Sequence, residues 1–226
     1  MMDVFEAMRT TFAARAFTDD PLPDEMLVQI LDGARFAPSG GNRQGWHVIA
    51  VRERATREGL AKATIPAAKR YTAQVKAGEN PWNTVDPTSV DAAAIEKTEA
   101  NMHLVEPVLR APVVLVICVD LKVVAATDQY LKRVGVIAGA SIYPFAWNVL
   151  LSARAHGFGG TITTLAVSEE PQIKALLGIP PHVAVCAVMP LGRPLKQLTK
   201  LRRKPVHDFA VSERWGGAPL GQGGRA

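Results

Sequence analysis

The chain has 226 residues, 48% hydrophobic and 21% charged, the balance of an ordinary globular domain, which excludes a disordered or fibrous protein. Lys and Arg total 26 against 21 Asp and Glu, a net charge of +5, which favours an anionic partner without choosing among nucleic acid, a membrane surface and a phosphate-bearing cofactor. The two cysteines, Cys118 and Cys186, each sit in an apolar run, which excludes a disulfide scaffold and reads as buried free thiols in a reducing cytoplasm.

Met1 to Arg15 mixes Asp3, Glu6, Arg9 and Arg15 with apolar residues. That pattern gives a short helix, not a secretory signal. Asp19-Asp20-Pro21-Leu22-Pro23 predicts a turn into a helix with Met26, Leu27, Ile30, Leu31 and Ala34 at helical spacing, ended by Pro38-Ser39-Gly40-Gly41. Trp46 to Val51 reads as a strand. The polar stretch 54–110 predicts two helical segments around the loop Gly78 to Asn83. Val113 to Val119 is apolar and β-branched, hence a buried strand. From Val134 to Ala153 there is no charge over 20 residues, the length of a membrane span. Gly135, Gly139, Ser141, Pro144, Asn148 and Ser152 interrupt it, so it reads as a helix of a soluble protein buried on nearly every side. A short strand at 160–164, a helix opened by Ser168-Glu169-Glu170-Pro171 and a buried strand from His182 to Met189 follow. The end is basic, and the glycine-rich tail Gly216 to Ala226 is expected to fray.

These spacings give no regular βαβ series, and neither a Gly-x-Gly-x-x-Gly turn after a strand nor a P-loop is present. The order fits an α+β domain with helices on both faces of a central sheet. His47, His103, His156, His182 and His207 are scattered without metal-ligand spacing. Cys-x-x-Cys and Gly-x-Ser-x-Gly are also absent. Chemistry in this chain is therefore expected to rest on a cofactor.

Three features point to a ligand, and each has a plainer reading. Pro38-Ser39-Gly40-Gly41-Asn42 is a loop able to bring backbone N–H groups and short side chains close to a flat molecule, or an ordinary helix-terminating turn. Gly157-Phe158-Gly159-Gly160-Thr161-Ile162-Thr163-Thr164 sets three hydroxyls at a strand start after a glycine-rich turn, or shows only β propensity. Arg202-Arg203, with Arg9 and Arg15, offers guanidinium groups to a phosphate, or forms a solvated basic face.

Taken in order, these motifs resemble the nitroreductase superfamily of FMN-dependent oxidoreductases over nearly the whole chain. Arg15-Ala16-Phe17-Thr18-Asp19-Asp20-Pro21 matches the later part of its N-terminal phosphate motif. Ala37 to Trp46 matches Ala-Pro-Ser-x-x-Asn-x-Gln-Pro-Trp with Gly45 in place of the proline. Leu150 to Gly157, Leu177-Gly178-Ile179-Pro180, Leu191-Gly192-Arg193-Pro194 and Arg203-Lys204-Pro205 follow in the family's order. The threonine-rich strand is most similar to the iodotyrosine deiodinase branch. One departure stands out: Thr11-Phe12-Ala13 occupies the place of Arg-Arg-Ser, with Arg9 nearby as a substitute.

The resemblance implies one domain over 1–226, a mixed central sheet flanked by helices, and an intertwined homodimer with FMN at each end of the interface. Residues 54–110 would shape the substrate pocket, and 195–226 would reach over the partner. Arg15, Arg202 and Arg203, with Thr11 in the N-terminal motif, would hold the FMN phosphate. Ser39, Gly40, Gly41 and Asn42 would contact the ribityl chain and ring, and Thr161, Thr163 and Thr164 the ring edge. NAD(P)H would reduce the flavin, which would then reduce a nitroaromatic, quinone or similar acceptor. No acid or base residue, metal or membrane is implied, and no nucleic acid either, because the basic residues form no aromatic-interleaved stripe. The alternatives are a reductive dehalogenase-like or flavin-cleaving enzyme of the same fold, or a protein that only sequesters FMN.

Overall fold

In the computed structural model, which describes residues 2–221, the elements in chain order are α1 (Val4–Thr10), α2 (Asp24–Ala34), β1 (Trp46–Val51), α3 (Arg54–Lys76), α4 (Ala92–Lys97), α5 (Glu106–Arg110), β2 (Val113–Asp120), α6 (Tyr143–Ala155), β3 (Gly159–Gly160), α7 (Glu170–Leu177) and β4 (Val183–Gly192). The sheet runs β1-β2-β4-β3. Its ladders are all antiparallel, and among the described residues one isolated parallel bridge, Ala13 to Gly160, joins the N-terminal segment to its edge.

β2 is buried on both sides until Asp120, so its sequence shows no polar alternation. Successive side chains still point to opposite faces. Val113, Leu115, Ile117 and Val119 pack with Leu27 and Ile30 of α2 and with Phe145, Val149 and Ala153 of α6. Val114, Val116 and Cys118 face the other way, onto Leu60 of α3, Val108 of α5 and Ile173 of α7. Each such Leu, Ile or Phe contributes roughly 1.5–3 kcal/mol on burial, so the two helical layers hold the sheet from both sides. Trp46 stacks on Phe145 with ring centroids 4.9 Å apart, which fixes the start of β1 to α6.

Three expectations need correcting. The uncharged stretch 134–153 is not one helix: a 3₁₀ turn at Ile137–Ser141 precedes α6. Pro144 lies in the first turn of α6, where its missing N–H costs nothing. Nor is the stretch buried on nearly every side: Val134, Val136, Ile137, Tyr143 and Trp147 are exposed, while Phe145, Ala146, Val149, Leu150 and Ala153 face the core. Among the described residues no helix is long and apolar enough to cross a membrane. The strand expected at 160–164 shrinks to Gly159–Gly160 plus an isolated bridge from Thr163 to Val188. The expected fray does not begin at Gly216. The amide of Leu220 donates to Ala210 O at 2.9 Å and Val211 bridges Pro219, so the chain is tied back through 221. The rest of that tail, 222–226, lies outside the described residues.

Candidate functional site

The parallel bridge assembles the site. Ala14 N donates to Gly160 O at 2.9 Å, Thr18 N to Arg193 O at 2.8 Å, and Leu195 N to Ala16 O at 3.0 Å. Residues 13–18 are thereby clamped between β3 and the chain leaving β4, and Arg15 arrives beside Thr161. A cleft of about 210 Å³ is lined by Arg15, Thr161, Thr163 and Thr164, together with Tyr71, Leu104 and Val108. Thr161 is buried, and Thr163 is pinned by backbone bonds with Val188 at 3.1 and 2.8 Å. The guanidinium of Arg15 is exposed, donating to Ala13 O at 3.4 Å.

Two further spaces meet this cleft at Thr164. One is an apolar cavity of about 930 Å³, lined among others by Val136, Gly139, Tyr143, Trp147, Val167 and Cys186, large enough for a cofactor-sized ring system. The other, about 480 Å³, lies between Tyr71, Pro81 and Trp82 on one side and Leu165, Val167 and Ser168 on the other. Residues 54–110 thus supply walls to the site. The Tyr143 hydroxyl donates to Cys186 O at 3.3 Å, and burial raises its pKa. Burial also pushes the thiol of Cys186 up to about 12 and that of Cys118 to about 11, so neither is a nucleophile near neutrality. Among the described residues no three His, Cys, Asp or Glu side chains converge as metal ligands.

The other expected residues are placed differently. Thr11 is buried, and its hydroxyl donates to Ala7 O at 2.7 Å. Its proton is therefore committed to the end of α1 and is not free for a phosphate. Arg9 lies against the Phe5 ring, 5.8 Å from its centroid, and lines none of the three spaces.

The Ser39 loop stands beyond the large cavity. Gly40 N donates to Ser141 Oγ at 3.1 Å, and the flanking Ala140 and Ile142 line that cavity. Gly41, Asn42 and Gln44 hold φ of 62°, 53° and 50°, unusual backbone for the last two and a strain of the kind found at ligand sites. The N–H groups of Gly40, Asn42, Arg43 and Gln44 are bonded within the protein. The loop therefore presents side chains more than the free amides its composition suggested. Arg202 and Arg203 are exposed, with Arg203 Nη1 donating to Arg202 O at 2.7 Å. Neither lines a cleft with Arg15. One chain unites Arg15, Thr161, Thr163 and Thr164, and leaves the Ser39 loop and the basic pair apart.

Tyr71, Trp82, Tyr143 and Trp147 escaped the sequence reading. The sole signal for Trp82 was a loop, Gly78 to Asn83, rich in turn residues yet carrying a large aromatic.

Comparison with known proteins agrees with this architecture. The chain is 26% identical over 216 residues to an NADH dehydrogenase of Thermus thermophilus, covering 93% of this chain and 96% of the relative. It is 24% identical over 212 residues to human iodotyrosine deiodinase 1, covering 93% and 68%. A crystal structure of oxidized iodotyrosine deiodinase bound to FMN and 3-iodo-L-tyrosine superposes with a TM-score of 0.68 at 16% identity, covering 94% of this chain and 100% of that one. The model of the nitroreductase family matches residues 8–193, and with most of its length so matched the chain belongs to the nitroreductase family.

Proposed function

We propose that this protein is an FMN-dependent oxidoreductase that takes electrons from NAD(P)H and passes them to a nitroaromatic, quinone or similar small acceptor in two successive steps. The observation that carries the reading is the Ala13–Gly160 bridge. It brings Arg15 into one cleft with three threonines, of which Thr164 also lines a large apolar cavity. A ligand with an anionic end, a flat apolar body and a polar ring edge fits that set, and FMN is such a ligand. Arg15 would bind its phosphate through charge-assisted bonds, while Thr161, Thr163 and Thr164 would hold the ring edge. When bound, FMN supplies the hydride and electron chemistry, and the protein orients it and keeps water from one face. The names of the Thermus relative and of the deiodinase crystal structure support a nicotinamide donor and FMN.

The site takes a second copy of the chain to complete. The Ser39 loop (Gly40, Gly41, Asn42) and Arg202 with Arg203 line none of these three spaces of their own subunit. We infer a homodimer in which the partner supplies these groups and each arm after 195 crosses to the other subunit. Steady oxidation of NAD(P)H by the purified, FMN-loaded protein with menadione or nitrofurazone tests the reading. FMN bound without turnover would leave a flavin-holding protein instead. The threonine-rich strand and the deiodinase relatives favour one second reading, reductive dehalogenation, checked by release of iodide from 3-iodo-L-tyrosine.

A further inference from the structure

Trp82 is held in a conformation its own backbone resists. Its φ is 56°, in the left-handed region that bulky residues avoid. The surroundings fix it there. Trp82 N donates to Gln74 Oε1 at 3.2 Å, and Gln74, buried on α3, donates from Nε2 to Glu79 Oε2 at 3.0 Å. Glu79 in turn accepts from the Thr88 hydroxyl and from the Ser89 amide and hydroxyl, each at 2.7 Å. The Arg70 guanidinium lies over the indole, 4.3 Å from the ring centroid. Arg70 Nε is buried without a hydrogen-bond partner among the described residues, so the ring compensates part of that cation's desolvation. An indole so firmly fixed, yet 38% exposed, borders the cleft it shares with Tyr71 and Thr164.

We propose that Trp82 is a specificity-determining residue for the electron acceptor: with Tyr71 it forms a rigid aromatic wall that selects flat aromatic acceptors over compact ones. The inference rests on the oxidoreductase reading and adds the substrate-selecting residue to it. A pre-ordered aromatic surface gains stacking contact with a flat ring without first having to be immobilised. The backbone strain is thereby explained as the means of presenting the ring.

The test compares Trp82→Ala and Trp82→Phe with the parent, all loaded with FMN. Menadione binding is titrated without NAD(P)H, and KM is then measured for menadione and for ferricyanide, which has no flat aromatic face. Trp82→Ala is expected to raise the menadione Kd and KM about fivefold to tenfold, the size of one lost ring-on-ring contact. The ferricyanide KM should shift less than about twofold, and Trp82→Phe should restore most of the menadione affinity. Equal menadione affinity in Trp82→Ala and parent overturns the inference, as does an equal loss in Trp82→Phe or a parallel loss of FMN. If the parent binds menadione in a Trp82-dependent way yet oxidises no NAD(P)H, the oxidoreductase reading fails while the aromatic wall stands.

Discussion

Gly160 is the residue on which the geometry of the site depends. A β-carbon there would run into the Pro190 carbonyl and the Leu191 side chain, so only glycine lets β3 lie against β4 while Ala14 bonds its carbonyl. Gly160→Ala should destabilise the protein by about 1–3 kcal/mol, as overpacking does, and should weaken FMN binding by displacing Arg15 from Thr161. Urea denaturation and flavin titration read the two effects, and normal FMN affinity in a destabilised variant would unlink the bridge from the site. Arg203 makes the complementary case. With the Thr11 hydroxyl committed to Ala7, fewer N-terminal groups remain for the phosphate. A charge-assisted bond contributes roughly 1.5–3 kcal/mol, or about one to two powers of ten in affinity. Arg203→Ala should weaken FMN by that much and leave riboflavin, which lacks the phosphate, nearly unchanged. FMN affinity equal to the parent's would mark the basic pair as a solvated face, and equal losses for both ligands would rule out the phosphate role.

Among the elements, the loop after α3 is locked by one carboxylate. Hydrogen bonds from Ser89 first, then Thr88 and Gln74, hold Glu79 at about 2, below its usual 4.5. The folded form therefore binds its proton less readily than the unfolded chain. The stabilisation is complete above about pH 4.5 and is lost as pH falls toward 2. Glu79→Gln should be less stable than the parent at pH 7, and the gap should close on acidification through that window. A gap that is constant with pH would mean packing, not charge, locks the loop. On the sheet, thiol pKa values of about 11 and 12 for Cys118 and Cys186 leave about one thiolate in a thousand or fewer at pH 8. Both thiols should therefore react with a disulfide reagent at pH 8 far more slowly in native than in unfolded protein, although Cys186 is only half-buried and borders the cavity.

At the scale of the whole molecule, the arm beyond β4 does not bury its own apolar side chains. Gln197 ties its root to Thr10 O at 2.9 Å. Farther on, Phe209 is 68% exposed and Trp215 fully so, while Tyr130 on the body is 89% exposed. We propose that a second copy of the chain covers these aromatics. Sedimentation at micromolar concentration should give the mass of two chains. Cutting the chain after Leu198 should lower FMN affinity and shift the equilibrium toward monomer, and a full-length monomer that retains flavin would overturn the dimeric site.

Local chemistry made part of this protein legible from its residues alone. Trp46 to Val51 is a strand at the expected bounds because its apolar residues end at charged Arg52 and Glu53. α2 appears where helical spacing placed it, between Pro23 and the Pro38-Ser39 turn. The family motifs were also readable, since a turn or a phosphate loop needs particular residues at short spacing. Tertiary structure decided what depends on distant partners. A charge-free run proved to be a 3₁₀ turn and a helix with several apolar side chains exposed, because lack of charge fixes neither helical continuity nor which face the core covers. β3 stopped at two residues because its length depends on contact with β4 and the N-terminal segment. Thr11 and Thr161 look alike in sequence, but the hydroxyl of one closes a helix and the other residue lines a cleft. Arg15 meets Thr161, and Trp82 meets Arg70, through contacts between separate elements, and periodicity within one element carries no information about which distant surface will cover it.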